Sequence, residues 1–279
     1  MSSLIPYPKK LKKLLFQIKE DGFKNLYILC DFDRTLTYGS VDGVKTPSII
    51  SMLRDGQHLT KDYAPKAHAL FNKYHPLETD PKISLAERKE AMQEWWEKHN
   101  KLLIESGLSR ADLEDIVKKG SIKFRKGVPI FLDFLFQHKI PLIIFSASGC
   151  GEAIQLFFQK IKKDYPNIVY IVNKFNWNKT GRAISTKKPI IHSLNKDKTI
   201  LKKLPKVYSL IKNRRNVILL GDSVGDLGMT AGFKYAHLLK IGFLNFDYKK
   251  LKKEYEKKFD LILEEDADFK EINNLIENW

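Results

Sequence analysis

Three short apolar runs, each closed by small or acidic residues, and a fourth run like them leave this chain few architectures to choose from. Leu26–Cys30 (LYILC), Ile140–Phe145 (IPLIIF) and Asn216–Leu220 (NVILL) are continuous, and Ile168–Val172 forms a fourth run of the same kind. A strand exposed on one face alternates apolar with polar residues, whereas a strand covered on both faces is apolar throughout. Helical or loop patterns follow each run, so the expected fold is α/β with a parallel sheet and right-handed crossovers. At 279 residues the chain can bury one large domain or two smaller ones. No apolar run approaches the roughly 20 residues that span a bilayer.

The stretch between the first two strands is long and differently composed. From about residue 61 to 119 it carries Lys, Glu, Ala, Leu and Trp at helical spacing. Ser84-Leu85-Ala86-Glu87 has the form of a capping box, and Ser109-Arg110-Ala111-Asp112 is a helix start of the same kind. The expectation is a helical cap at residues 56–120, inserted into a Rossmann-like core made of residues 1–55 and 121–279. Residues 175–186 carry the turn chemistry of a small hairpin about Thr180-Gly181, and within it Asn178-Lys179-Thr180 reads as turn rather than glycosylation sequon.

The formal charge is +16, which suits either a polyanion partner or a lysine-rich solvated surface. The lysine runs at 9–13 and 249–258 are interleaved with apolar residues and read as helix faces. No nucleic-acid module accompanies them, so nucleic acid is not an expected partner. Cys30 and Cys150 read as reduced thiols, and residues 1–13 lack the apolar centre of an export signal. A cytoplasmic monomer without a membrane partner is expected.

The chemistry is carried at the strand ends, where open parallel sheets place their sites. Asp31-Phe32-Asp33-Arg34-Thr35 follows the first strand. Positions i and i+2 of an extended segment point the same way, so Asp31 and Asp33 can share a pocket with proton affinities driven apart. Gly221-Asp222-Ser223-Val224-Gly225-Asp226 follows another strand. Magnesium takes hard oxygen ligands, and the Asp31 carboxylate, the Asp33 carbonyl and Asp222 could supply three. Asp226, with Thr35 and Ser223, would stand behind them. Ser146-Ala147-Ser148-Gly149 offers a hydroxyl and backbone N–H groups suited to phosphate oxygens. Lys196 precedes a helical segment and could neutralise phosphate, although spacing alone would not select it among 49 Lys and Arg residues.

In this order these pieces resemble the haloacid dehalogenase superfamily of phosphatases, and more narrowly the cytosolic 5'-nucleotidase III group of pyrimidine 5'-nucleotidases. The segments that carry the likeness are Cys30-Asp31-Phe32-Asp33-x-Thr35-Leu36-Thr37, Tyr74-x-x-Leu77-Glu78-x-Asp80-Pro81, Glu94-Trp95-Trp96, Phe145-Ser146-Ala147, Ile191-His192-x-x-Asn195-Lys196, Leu220-Gly221-Asp222-Ser223-x-Gly225-Asp226-Leu227-x-Met229 and Leu239–Asn245. The resemblance implies a magnesium-dependent site between core and cap, with Glu78 contacting the nucleotide base and Trp96 stacking on it. Ile50 stands where relatives carry an aromatic or His on the other face of the base. Ser148 replaces a frequent Gly, and Glu152 a frequent Asp.

The implied reaction is hydrolysis of nucleoside 5'-monophosphates, pyrimidine or 7-methylguanosine, with phosphotransfer as a possible side reaction. Asp31 would be the nucleophile and Asp33 the acid and base. Ser146, Ala147 and Lys196 would hold the phosphate. The alternatives are the same chemistry on another small phosphometabolite, and a basic nucleic-acid-binding protein on a silent core.

Overall fold

The computed structural model describes residues 3–120 and 122–277. The outermost limits of the two segments expected to form the core, residues 1 and 279, and their internal limit, residue 121, lie outside the described residues. The strands in chain order are β1 (Ser3–Leu4), β2 (Leu26–Cys30), β3 (Ser40–Val41), β4 (Val44–Lys45), β5 (Leu142–Phe145), β6 (Ile168–Ile171), β7 (Phe175–Trp177), β8 (Ala183–Thr186), β9 (Asn216–Gly221), β10 (His237–Leu244) and β11 (Leu261–Glu264). Seven of them make the main sheet in the order β1-β11-β10-β9-β2-β5-β6. All its pairs are parallel except β1 with β11.

Each of the four apolar runs is a strand of this sheet, and the packing shows why they are apolar throughout. Ile28, Cys30, Leu142, Ile144, Ile218 and Leu220 enter one hydrophobic cluster. Their neighbours Tyr27, Leu29, Ile143, Phe145, Val217 and Leu219 enter another. The side-chain period of two sends alternate residues to opposite faces, and both faces are covered. The second run starts its strand at Leu142 instead of Ile140, because Pro141 lacks an N–H and contributes only its carbonyl, which accepts from Ile28 N at 2.9 Å.

β10 and β11 extend the sheet beyond those four runs. The pattern of β10 is broken by Lys240 and Gly242. That glycine faces the Phe259 ring, which a Cβ would meet at 2.8 Å. The lysine-rich segment before β11 is a helix, Tyr248–Lys258, that seats Tyr255 against Leu244 and Ile262 and leaves most of its lysines in water.

The helices that matter for the site are α1 (Pro8–Asp21), α2 (Ile49–Asp55), α3 (Tyr63–Thr79), α4 (Leu85–Glu105), α5 (Arg110–Lys119), α6 (Val128–Gln137) and α7 (Glu152–Lys160). α3, α4 and α5 lie in the stretch between β2 and β5 where the sequence places a helical insertion. The capping boxes at Ser84/Glu87 and Ser109/Asp112 both form. The insertion packs onto the sheet layer, since Tyr63, Leu103, Leu113 and Ile116 join the cluster that contains Ala153, Phe157 and Phe158 of α7.

β7 and β8 make the expected hairpin. In its turn, Asn178 Oδ1 accepts from Thr180 N at 3.0 Å and from Arg182 N at 2.9 Å. The hairpin is fastened to the insertion through the backbone: Arg110 N donates to Gly181 O at 2.9 Å, and Ala183 N to Leu108 O at 2.8 Å. Both cysteines are buried free thiols. Among the described residues no helix is long and apolar enough to cross a membrane.

Candidate active site

β2 lies in the middle of the sheet, flanked by β9 and β5, so the residue leaving its carboxyl end emerges between the ends of both neighbours. That residue is Asp31, whose N–H donates to Leu220 O at 3.0 Å. The chain then turns through Arg34 at φ 60°, a left-handed conformation that costs energy for a side chain.

A buried arginine that sequence reasoning did not single out holds this turn. Arg125 donates through Nε to Thr35 O at 2.9 Å and through its terminal nitrogens to Arg34 O, Ala267 O and Asn245 Oδ1, each at 2.7 Å. Asn245 Nδ2 also reaches Arg34 O, at 3.0 Å. One guanidinium fork thus ties the Asp31–Thr35 loop to the chain beyond β10 and β11.

β9 delivers the second acidic pair. Oxygens of Asp31, Asp222 and Asp226 lie within 4.8 Å of one another. Asp226 is the most constrained of the three. Its Oδ2 accepts from Ser223 N and Ser223 Oγ, both at 3.0 Å, and its Oδ1 accepts from Lys196 Nζ. Gly221 is required beside it, because a Cβ there would sit 2.5 Å from that of Asp226. Lys196 Nζ also donates to Asp31 Oδ1 at 2.9 Å. The lysine that spacing could not select is therefore buried between two of the acids.

Three carboxylates around one ammonium leave the site short of positive charge. Burial pushes Asp31 up to about 7, against the pull of Lys196, with Asp226 and Asp33 adding to the rise. Burial likewise raises Asp222 well above the usual carboxylate range, helped by Asp226 and Asp31. Hard oxygens, negative excess and close spacing fit a divalent cation such as magnesium. Asp33 faces the same space, and burial pushes it up to about 6, offset in part by Arg34 and Lys196. That value suits a group that gives and then takes a proton near neutrality.

The loop after β5 borders this centre. Ser146 Oγ accepts from Ser148 N at 3.1 Å, so the hydroxyl proton of Ser146 remains to donate, whereas the N–H of Ser148 is already used. Asn173 supports the loop from below, with Nδ2 3.1 Å from Ser148 O.

Asp31 and Asp33 open into a cavity of 280 Å³ between this loop and the helical insertion. Ser146 and Ala147 line it on one side, Ile50 and Trp96 on the other. Gly149 lets these walls approach: a Cβ there would lie 2.9 Å from the Trp96 ring and 3.2 Å from Ile50. Trp96 stacks on Trp95 at 5.7 Å between ring centroids and leans on His99 at 5.6 Å. Glu78 is not among the lining residues. It ends α3 half-buried, with its carboxylate 3.3 Å from His75 Nδ1. Thr35 is buried in the Asp31–Thr35 loop.

Arg54, Phe71 and His99 also line the cavity and carried no signal in the sequence. The only local hint was that Arg54 follows Ile50 by one helical turn, and His99 follows Trp96 by three residues.

Residues 34–279 match the family model described as pyrimidine 5'-nucleotidase (UMPH-1). The 7-methylguanosine phosphate-specific 5'-nucleotidase of Mus musculus is 30% identical over 274 residues, which cover 98% of this chain and 91% of the relative. The A form of that enzyme from Xenopus laevis is 31% identical over 271 residues, 97% of this chain and 93% of its own length. Among solved structures, cytosolic 5'-nucleotidase IIIB bound to cytidine superposes with a TM-score of 0.89 at 27% identity, covering 99% of this chain and 92% of that one. A substrate-bound phosphoserine phosphatase, at TM-score 0.50 and 16% identity over 90% of this chain and 97% of its own, shares the fold.

Proposed function

Since the chain belongs to the pyrimidine 5'-nucleotidase (UMPH-1) family, we propose that it is a magnesium-dependent 5'-nucleotidase that splits nucleoside 5'-monophosphates into nucleoside and phosphate through an aspartyl-phosphate on Asp31. The observation that carries this reading is the meeting of Asp222, Asp226 and Lys196 around Asp31, which lines a cavity that Trp96 also lines. In this reading residues 56–120 act as the cap over a core made of the rest.

A magnesium ion held by Asp31, the Asp33 carbonyl and Asp222 would supply positive charge to the nucleophile and to a phosphate oxygen. The protein's own groups do the remainder. Asp31 Oδ attacks phosphorus in line, the P–O5' bond breaks, and Asp33 gives its proton to the departing ribose oxygen. Asp33, now ionised, takes a proton from a water whose oxygen attacks the same phosphorus. Phosphate leaves and the Asp31 carboxylate is restored. Lys196, Ser146 Oγ and the Ala147 N–H stabilise the equatorial oxygens, whose charge must be held while the group moves.

Asp226 is a positioning residue that aims Lys196. Trp96 offers a flat face to the base, a contact worth roughly 1–3 kcal/mol. Glu78 could reach the base only after leaving His75. Ile50 lines the cavity beside Trp96 with aliphatic carbon.

The test is phosphate release from a panel of nucleoside monophosphates with and without magnesium. Magnesium-dependent release from nucleotides that disappears in Asp31→Asn is the expected result. Wild-type rates in Asp31→Asn would refute the nucleophile assignment.

A further inference from the structure

Arg54 of α2 is the one cationic side chain among the residues that line the cavity. Arg54 lines the cavity with its side chain 19% exposed. Its Nε donates to Asp55 Oδ1 at 3.0 Å, on a carboxylate that stands 62% in water. Among the described residues no acceptor meets its two terminal nitrogens. Beside it, His99 Nε2 and the Tyr63 hydroxyl share a hydrogen bond of 3.0 Å, and Nδ1 is buried without a partner. Burial, and then the Arg54 charge, hold His99 down to about 4, so the ring is neutral. Glu78 is outside the lining and faces His75. No carboxylate lines the cavity except Asp31 and Asp33 at its floor.

We propose that Arg54 is a specificity-determining residue that reads the charge and the acceptor pattern of the base, so that the site takes nucleotides with a neutral base and disfavours cationic, N-methylated ones. This rests on the nucleotidase reading above. A guanidinium is a donor-only fork, so the base edge beside it must present carbonyl oxygens or unprotonated ring nitrogens. Uracil and cytosine do so. Methylation of guanine at N7 removes one of the two acceptors that arginine would take together, and it adds a positive charge. In the cavity that charge would meet Arg54, whose carboxylate partner Asp55 stands outside the lining and mostly in water. The cationic base that suits relatives named for 7-methylguanosine phosphate is thus a poor match for this wall.

The experiment compares kcat/KM for cytidine 5'-monophosphate and 7-methylguanosine 5'-monophosphate, with magnesium, in the wild type, Arg54→Met and Arg54→Lys. The wild type is expected to favour the cytidine nucleotide. Arg54→Met, which keeps the aliphatic stem, is expected to narrow the ratio by about tenfold, mainly through KM. Arg54→Lys is expected to keep the rejection of the cationic base while raising KM for the neutral one, since it retains charge and loses the fork. A wild type that handles both nucleotides equally, or a ratio that stays the same in Arg54→Met, overturns the proposal. If Arg54→Met does not fold, unaltered KM values in Arg54→Lys overturn it instead. Cleavage of an aryl phosphate but of no nucleotide brings down the nucleotidase reading as well. Nucleotide cleavage with a ratio indifferent to Arg54 brings down this proposal alone.

Discussion

At the residue scale, the site combines groups that sequence exposes with groups that only folding reveals. Asp31, Asp33, Asp222 and Asp226 were legible because each pair is local and each follows an apolar strand. Lys196 was legible only through resemblance, and its role rests on a contact with Asp31 across 165 positions of chain. Arg125 gave no signal, since a single arginine before a helix has no pattern of its own. Its partners nonetheless predict a large effect. Arg125→Met should destabilise the fold by about 3 kcal/mol or more, because it strands the buried carbonyls of Thr35 and Ala267 without donors and leaves that of Arg34 to Asn245 alone. Urea unfolding measures this, and a change below about 1 kcal/mol would mean that water replaces the fork. His99 gives a prediction of opposite chemical character. Its folded-state value near 4 lies below the ordinary 6.5, so the unfolded chain takes up a proton first as pH falls. Its share of stability is therefore complete above 6.5 and is lost progressively towards 4, about 2 kcal/mol of it between pH 7 and pH 5. Melting curves at these two pH values should converge in His99→Gln relative to wild type, and an unchanged gap would show that other groups set the slope.

At the scale of elements, the strands that were easy to read are those buried on both faces, and the ones not identified are those whose pattern is interrupted. β10 carries Lys240 and Gly242 in its middle, and β11 is four residues between a lysine-rich helix and an acidic turn. The capping boxes were legible because their chemistry is complete within four residues. The helix Tyr248–Lys258 shows the limit of such local reading. Its lysines mark it as amphipathic, but the residue that connects it to the site is Tyr255. That buried hydroxyl donates to Asp222 O, which steadies the loop presenting the Asp222 carboxylate. Tyr255→Phe should raise the magnesium concentration needed for half-maximal activity by roughly tenfold, with a matching weakening of magnesium-induced thermal stabilisation. An unaltered magnesium midpoint would show that the loop holds its shape unaided.

At the scale of the whole molecule, surplus negative charge at the centre sits inside a chain of formal charge +16. The α/β class and the helical insertion followed from pattern alone, but the cavity did not, because its walls come from α2, α4 and the loop after β5 together. Filling the acidic centre should couple to global stability. A divalent cation at about one hundred times its dissociation constant adds about 2.7 kcal/mol, read as a rise in melting temperature that Asp222→Asn abolishes. An equal rise in that variant would locate the ion elsewhere.

The junction between the hairpin and the insertion has a different kind of consequence. Arg110 N to Gly181 O and Ala183 N to Leu108 O join main-chain atoms only. Most side chains can be exchanged along this seam without cutting it, the exceptions being proline at position 110 or 183, which removes a donor, and any side chain at Gly181, whose φ is 77°. The residues there can drift over generations while the anchorage is inherited with the path of the backbone.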